Sequence, residues 1–213
     1  MTKFEHVYLW VFLLLLSRSL PGYSQHVSEE LTVRDVIHDM RPEEVLRLYD
    51  RLGKVDSTCL EEIPGICPLH EEEVPYLTSG YGLRLHPLEG KFKQHQGLDL
   101  ACRRGFQLVY ATANGRVIWS GHQKGLGLSL TLLHPSGYET TYGHLSALYI
   151  RENDWVRRGE IIGTMGRTGK ATGIHLHYAI RKAGQFVDPL PYLRLYEEYI
   201  KNKDAGQASS SRE

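Results

Sequence analysis

Short apolar stretches separated by glycine dominate the chain from position 76 onward. Apolar and polar positions alternate in these stretches, and no helical pattern of 10–15 residues lies between them. The pattern predicts strands over 116–120, 126–134, 138–144, 160–165 and 174–180. Asn114-Gly115 and Pro135-Ser136-Gly137 are turn signals between strands. Because crossover helices are missing from this pattern, we predict a mainly β protein with an antiparallel β sandwich or barrel-like sheet.

A small helical segment is predicted before the β-rich part. Apolar residues recur at positions 33, 36, 37 and 40 and again at 45, 46, 49 and 52, which is typical of two short amphipathic helices. A proline-containing connector follows, and its acidic run 71–73 is expected to be a solvated loop. A last helix is predicted from about 191 to 203, and the polar residues 205–213 are expected to be disordered.

The amino terminus has the pattern of a signal peptide. Lys3 precedes an apolar run over 7–16, which is shorter than the about 20 residues that a bilayer span needs. Gly22 and Ser24 are small residues at −3 and −1 of a cleavage site before Gln25. The alternatives are an uncleaved anchor and a buried strand. The signal-peptide interpretation predicts a secreted or periplasmic protein with no stable membrane span after cleavage.

These patterns divide the chain into four parts. They are a signal peptide over 1–24, an acidic helical segment with its connector over 25–75, a β domain over 76–193, and a C-terminal helix with a disordered tail over 194–213.

Charge is balanced over the whole chain and unevenly distributed along it. The 25 Lys and Arg residues match the 25 Asp and Glu residues, which argues against a nucleic-acid-binding protein that depends on bulk charge. Residues 25–75 carry 5 basic and 13 acidic side chains, a net −8, and residues 76–190 carry 14 basic and 7 acidic, a net +7. Opposite charges favour docking of the acidic segment on the β domain. The alternative is that this segment is a spacer or a partner-binding arm.

Three cysteines are present. Cys59 and Cys67 lie close together in the connector and could close a short disulfide loop, but their spacing leaves the bonded and reduced forms both open. Cys102 is expected to be a small apolar core residue.

Two pairs of residues have spacings that suit a metal site. His175 and His177 share one face of a predicted strand, and His95 and Asp99 also share a face if they lie in one continuous strand. Imidazole nitrogen and carboxylate oxygen are both zinc ligands. His95, Asp99 and one imidazole of the other pair would therefore give three protein ligands and leave a fourth position open, as in catalytic zinc sites. His144, beside Gly143, is either a catalytic residue or a turn-stabilising surface histidine.

Three ordered motifs together are more specific than any one of them. They are His95-x-Gly97-x-Asp99, Tyr142-Gly143-His144-Leu145 and Gly173-Ile174-His175-Leu176-His177. The set is similar to the HxGxD, YxHL and GxHLHxE-type motifs of the lysostaphin-type (LytM-like) zinc metallopeptidases of peptidoglycan. The resemblance extends over roughly residues 78–193.

This resemblance implies a role for each motif. Zn²⁺ would be the cofactor, with His95, Asp99 and His177 as its ligands and His144 and His175 as the catalytic pair. The β domain over 76–193 would be a zinc peptidase domain, and the protein a metalloendopeptidase that hydrolyses cross-links or stem peptides of peptidoglycan in the cell envelope.

Two points leave alternatives open. Ala179 follows Tyr178 where many members of the family have an acidic residue, a difference that bears on specificity more than on activity. The family also contains non-catalytic members, so a cell-wall-binding or hydrolase-activator protein on the same fold is the alternative function. The acidic segment, if it docks on the β domain, would restrain the activity.

Overall fold

Twelve β-strands make up about half of the described residues. The computed structural model describes residues 57–69, 75–85, 90–193 and 195. The strands are β1 (Tyr76–Ser79), β2 (Gly82–Leu85), β3 (Phe92–His95), β4 (Leu98–Ala101), β5 (Leu108–Tyr110), β6 (Gly115–Gln123), β7 (Gly127–Leu133), β8 (Tyr138–Leu148), β9 (Trp155–Val156), β10 (Ile161–Met165), β11 (Leu176–Lys182) and β12 (Gln185–Val187). Two short 3₁₀ helices, Ser57–Glu62 and Leu190–Tyr192, flank them.

The strands form one large antiparallel sheet and one separate hairpin. The main order is β1-β4-β11-β8-β7-β6-β9, while β10 pairs with β5 and β8, and β12 pairs with β11. The hairpin consists of β2 and β3. This architecture confirms the mainly β, antiparallel class, and the five predicted strands correspond to β6, β7, β8, β10 and β11 with ends shifted by a few residues. The shorter strands were not predicted, because two to four residues carry too little alternation.

The core lies on one face of the large sheet. Tyr138, Tyr142 and Tyr178 are the largest of its fully buried side chains, and Cys102 belongs to the same cluster, as predicted. Tyr178 donates a hydrogen bond to Thr112 Oγ1 at 2.9 Å, so the hydroxyl of this tyrosine is satisfied inside the core.

Residues 57–69, which the sequence analysis places in the connector, pack against the β domain. Leu60, Ile63 and Leu69 from this segment are no more than 1% exposed and belong to the core cluster. Backbone hydrogen bonds from Gly65 to the Thr112 carbonyl and from Asn114 to the Glu61 carbonyl secure it. Residues 57–69 therefore contribute to the hydrophobic core of the β domain, in addition to linking it to the preceding part of the chain.

Several predictions concern residues outside the described ranges. They are the signal peptide over 1–24, the two helices between 31 and 53, the acidic run 71–73 and all but the first residues of the C-terminal helix with its tail. The side chain of Cys59 is also outside them, so the bonded and reduced forms of Cys59 and Cys67 both stay as alternatives. Within the part of the chain that the structure describes, no helix has the length and apolar character needed to cross a bilayer.

Candidate metal centre

His95 and Asp99 reach the site from two different strands. Their spacing suits one continuous strand, whereas in the structure His95 ends β3 in the hairpin and Asp99 lies in β4 of the large sheet. Gly97 makes this passage possible because the chain crosses closely over β11. A Cβ on Gly97 would lie 2.5 Å from the Tyr178 carbonyl oxygen and 2.9 Å from the His177 ring. The four-residue spacing brings the two side chains together through this close crossing.

Strand pairing brings the third residue of the predicted set to the same place. His177 lies opposite Asp99 of β4 on one side and opposite Gly143 of β8 on the other. His175 precedes β11 and forms an isolated bridge with Gly166. Because β11 lies between β4 and β8 in the sheet, both histidines lie close to residues of these two strands.

Three ligand-type atoms converge at this boundary. His95 Nε2 lies 3.2 Å from Asp99 Oδ1, His177 Nδ1 lies 3.0 Å from the same oxygen, and the two nitrogens are 3.1 Å apart. The His95, Asp99 and His177 side chains are 8%, 12% and 11% exposed. Ligands at 2.0–2.1 Å from a tetrahedral zinc ion are about 3.3 Å from one another. The triangle therefore has the size that zinc requires.

Hydrogen bonding also prepares His95 for a cation. Its Nδ1 donates to the Gly80 carbonyl oxygen at 2.7 Å, so in the neutral ring Nε2 carries the lone pair. That lone pair faces the Asp99 carboxylate, an arrangement that a shared cation stabilises. A donor set of two imidazoles and one carboxylate suits zinc.

His144 and His175 stand beside this triangle. His144 Nδ1 donates to the Thr168 carbonyl oxygen at 2.8 Å, and His175 Nδ1 donates to the Gly173 carbonyl oxygen at 2.9 Å. The two rings have centroids 4.7 Å apart. His144 has a φ of 62°, an uncommon value for a residue other than glycine. This irregular backbone within β8 directs the side chain, and such strain is concentrated at functional sites.

Burial and charge set the protonation of the cluster. Burial lowers the pKa of His144 to about 4 against the opposing effect of its bond to Thr168, so its Nε2 is an available acceptor at neutral pH. Burial also lowers the pKa of His177, while the hydrogen bond to Asp99 acts in the other direction. Burial alone would raise the pKa of Asp99, but hydrogen bonds and charge from His177 and His95 hold it well below its usual value.

Arg84 is a site residue that the sequence analysis did not identify. One of its Nη2 donors lies 3.5 Å from Asp99 Oδ2, the carboxylate oxygen outside the ligand triangle. The signal in the sequence was the alternation of apolar and polar residues at positions 83–85, with the arginine as the polar member. The guanidinium neutralises part of the carboxylate charge and helps to orient it.

A groove of about 760 Å³ extends from His95 and His177 along the open face of the sheet. Most of the charged side chains along it are basic. They are Arg84, Lys93, Lys124, Lys170 and Arg181, with Glu139 as the acidic counterpart. The groove is therefore suited to an extended ligand with negative charge.

Comparison with known proteins agrees with this site. Residues 93–189 match the sequence profile of peptidase family M23. The DD-carboxypeptidase/endopeptidase Mpg of Neisseria meningitidis serogroup B is 41% identical over 114 residues, which are 54% of this chain and 26% of the relative. The murein hydrolase activator NlpD of Escherichia coli is 36% identical over 116 residues, 50% of this chain and 30% of that protein. This chain thus spans about a quarter to a third of these relatives.

A solved structure shares the fold. It is the crystal structure of a zinc-containing peptidase from Vibrio cholerae, which superposes with a TM-score of 0.55 and 34% sequence identity. The similarity covers 61% of this chain and 40% of that one.

Proposed function

The β domain of this chain belongs to peptidase family M23, and from this premise we propose that the protein is a zinc metalloendopeptidase that hydrolyses peptide bonds in peptidoglycan. The observation that carries the proposal is the convergence of His95 Nε2, Asp99 Oδ1 and His177 Nδ1 within 3.0–3.2 Å of one another, with two further imidazoles beside them. We assign these three residues as metal ligands. A bound zinc ion supplies a Lewis acid that polarises a carbonyl group and lowers the pKa of water to about 7.

The chain's own residues supply the proton transfer. His144, neutral at pH 7 with Nδ1 held by the Thr168 carbonyl, presents Nε2 as the acceptor for the proton of the attacking water. His175, whose Nδ1 is held by the Gly173 carbonyl, presents Nε2 from the other side, where an Nε2–H donates a hydrogen bond to the developing oxyanion. Each such proton-transfer role is typically worth about 10²–10⁴ in rate.

The substrate assignment depends on the groove and on the relatives. An open groove along a sheet face can receive an extended peptide, and its basic lining favours an anionic polymer. The relative named as the murein hydrolase activator NlpD supports the same choice of polymer. In this proposal the chain is exported through its first 24 residues and acts in the cell envelope, with 25–75 and 194–213 flanking the peptidase domain of 76–193.

The proposal is tested with the purified full chain and intact peptidoglycan. We expect release of soluble peptide-containing fragments, its loss after treatment with a chelator, and its return with added Zn²⁺. His177→Ala should lose both zinc and activity, whereas His144→Ala should lose activity and keep zinc. His122→Ala is the matched control, because His122 is exposed on β6 and is not among the residues that line the groove. Full activity in His177→Ala would refute the ligand assignment.

One relative supports a second candidate function. The murein hydrolase activator NlpD is 36% identical to this chain over the matched part, so a protein that binds the wall and stimulates a separate hydrolase is the alternative. That function predicts zinc-independent binding to peptidoglycan, no fragment release by the protein alone, and no effect of His144→Ala. Mass spectrometry of the released fragments separates the two functions.

A further inference from the structure

An ion pair lies in the groove at a distance from the metal cluster, that is, the side chains of His95, Asp99 and His177. Arg181 and Glu139 occupy paired positions on β11 and β8, and Arg181 Nη2 donates a hydrogen bond to Glu139 Oε2. Both residues line the same groove as His177. Because side chains on a strand alternate, His177, Ala179 and Arg181 share one face of β11. With a rise of about 3.4 Å per residue, Arg181 is roughly 14 Å from His177 along the strand.

The floor of the groove between His177 and the Arg181–Glu139 ion pair is open. Ala179 is the only residue between them on this face of β11, and its neighbour across the strand pair is Thr141. Both are short, and both line the groove. A peptide that has its scissile bond at the metal cluster can therefore lie over this floor and reach the ion pair with about four extended residues, or with fewer if a long side chain covers part of the distance.

The ion pair is accessible and has hydrogen-bonding capacity left. The Arg181 side chain is 40% exposed and the Glu139 side chain 21%. A guanidinium has five N–H donors and a carboxylate two acceptor oxygens, so the contact between Nη2 and Oε2 uses only part of each group. A lone carboxylate ligand would meet repulsion from Glu139, and a lone ammonium ligand would meet repulsion from Arg181. A ligand group with both charges complements both.

We propose that Arg181 and Glu139 form a specificity subsite for a zwitterionic group, that is, an ammonium and a carboxylate on the same residue of the substrate peptide. Arg181 binds the carboxylate, and Glu139 binds the ammonium. The free amino-acid end of a diamino-dicarboxylic side chain has this chemistry. The inference rests on the proposed endopeptidase function and adds the class of residue that the groove recognises.

Calorimetric binding tests the subsite without requiring turnover. The protein is the full chain, loaded with zinc and carrying His144→Ala so that the peptides are not consumed. The probes are three synthetic peptides of one sequence that contain a diamino-dicarboxylic residue: the unmodified peptide, its distal carboxamide and its distal N-acetyl form. We expect the unmodified peptide to bind about tenfold more tightly than either derivative, the scale of one charge-assisted contact.

Variants assign each charge to one residue. In Arg181→Gln, the unmodified peptide and the carboxamide should bind equally well, while the unmodified peptide should still bind more tightly than the N-acetyl form. In Glu139→Gln, the unmodified peptide and the N-acetyl form should bind equally well, while the unmodified peptide should still bind more tightly than the carboxamide. Lys124→Gln is the matched control, because it also removes one charge from the groove. It should weaken all three peptides by a similar factor.

Three results would overturn the subsite. They are no measurable binding of the unmodified peptide, equal binding of all three peptides, or variants that lower the melting temperature while both affinity ratios stay as in the parent protein. The last result would mean that the pair only joins β8 to β11. Failure of the endopeptidase proposal is seen separately, as intact peptidoglycan after incubation with the unmodified protein.

Discussion

Acidification is expected to destabilise the fold through one buried histidine remote from the metal cluster. His134 is 2% exposed, its Nδ1 lies 2.8 Å from the Asn114 carbonyl oxygen, and its Nε2 lies 2.8 Å from Thr140 Oγ1. Burial lowers its pKa from 6.5 to about 4, although the Asn114 carbonyl acts in the opposite direction. The unfolded chain therefore binds this proton more readily than the folded one.

The sign and size of the effect follow from linkage. The contribution of neutral His134 is complete above pH 6.5 and is lost as the pH falls from 6.5 to about 4. With about 1.4 kcal/mol per pKa unit, the free energy of unfolding decreases by about 1 kcal/mol near pH 5.5 and by about 2–3 kcal/mol near pH 4.5. A full shift of this kind approaches about 3 kcal/mol, a large part of the stability of an ordinary domain.

Urea unfolding of the wild type and of His134→Gln at about pH 7.5, 5.5 and 4.5 measures this contribution. Taking the difference between the two proteins cancels the titration of the other groups. At the highest pH the variant should be less stable, because it loses part of the hydrogen bonding of His134. This deficit should shrink, and then disappear or reverse, as the pH falls. A deficit that is constant over the whole range would refute the assignment.

Three further outcomes follow from packing and metal binding. Gly97→Ala should lower the zinc content, because the added Cβ would lie 2.5 Å from the Tyr178 carbonyl oxygen and 2.9 Å from the His177 ring. Gly173→Ala is the control and should keep the zinc content, because its Cβ would meet nothing within 4 Å. Equal zinc content of the two variants by atomic absorption would contradict this reasoning. Leu60→Ala should cost about 2–5 kcal/mol in urea unfolding, and a loss below about 1 kcal/mol would show that its segment does not need to be docked. The zinc-free protein should have a lower melting temperature than the zinc-loaded protein, and the difference should increase with the concentration of free zinc in the loaded sample and be reversed when zinc is added back. An unchanged melting temperature would argue against metal binding by the folded chain.

The larger strands could be predicted because they are long enough to show alternation. β6, β7, β8 and β11 each have seven residues or more, and turn residues mark the ends of several of them. β9 has two residues and gains its strand geometry only by pairing with β6. Its existence is a consequence of tertiary contacts, which a local pattern does not contain.

The candidate site was also predicted only in part. The spacing of His175 and His177 suggested a shared face, and motif order suggested which side chains meet. The break between β3 and β4, which puts His95 and Asp99 in different strands, was not predicted, because the close crossing of Gly97 over β11 depends on a strand some 80 residues later. The positive φ of His144 was also hidden, since such values normally indicate glycine.

The docking of residues 57–69 determines where the chain can be shortened. A fragment that begins at position 76 would remove Leu60, Ile63 and Leu69 and leave Val109, which now pairs with Leu69 across a bridge, exposed to solvent. Any change in catalytic rate on such a truncation would mix loss of a restraint with loss of stability. A cut just before Ser57 removes most of the acidic segment and spares these contacts. Whether that segment restrains the proposed activity is therefore best measured with this shorter deletion.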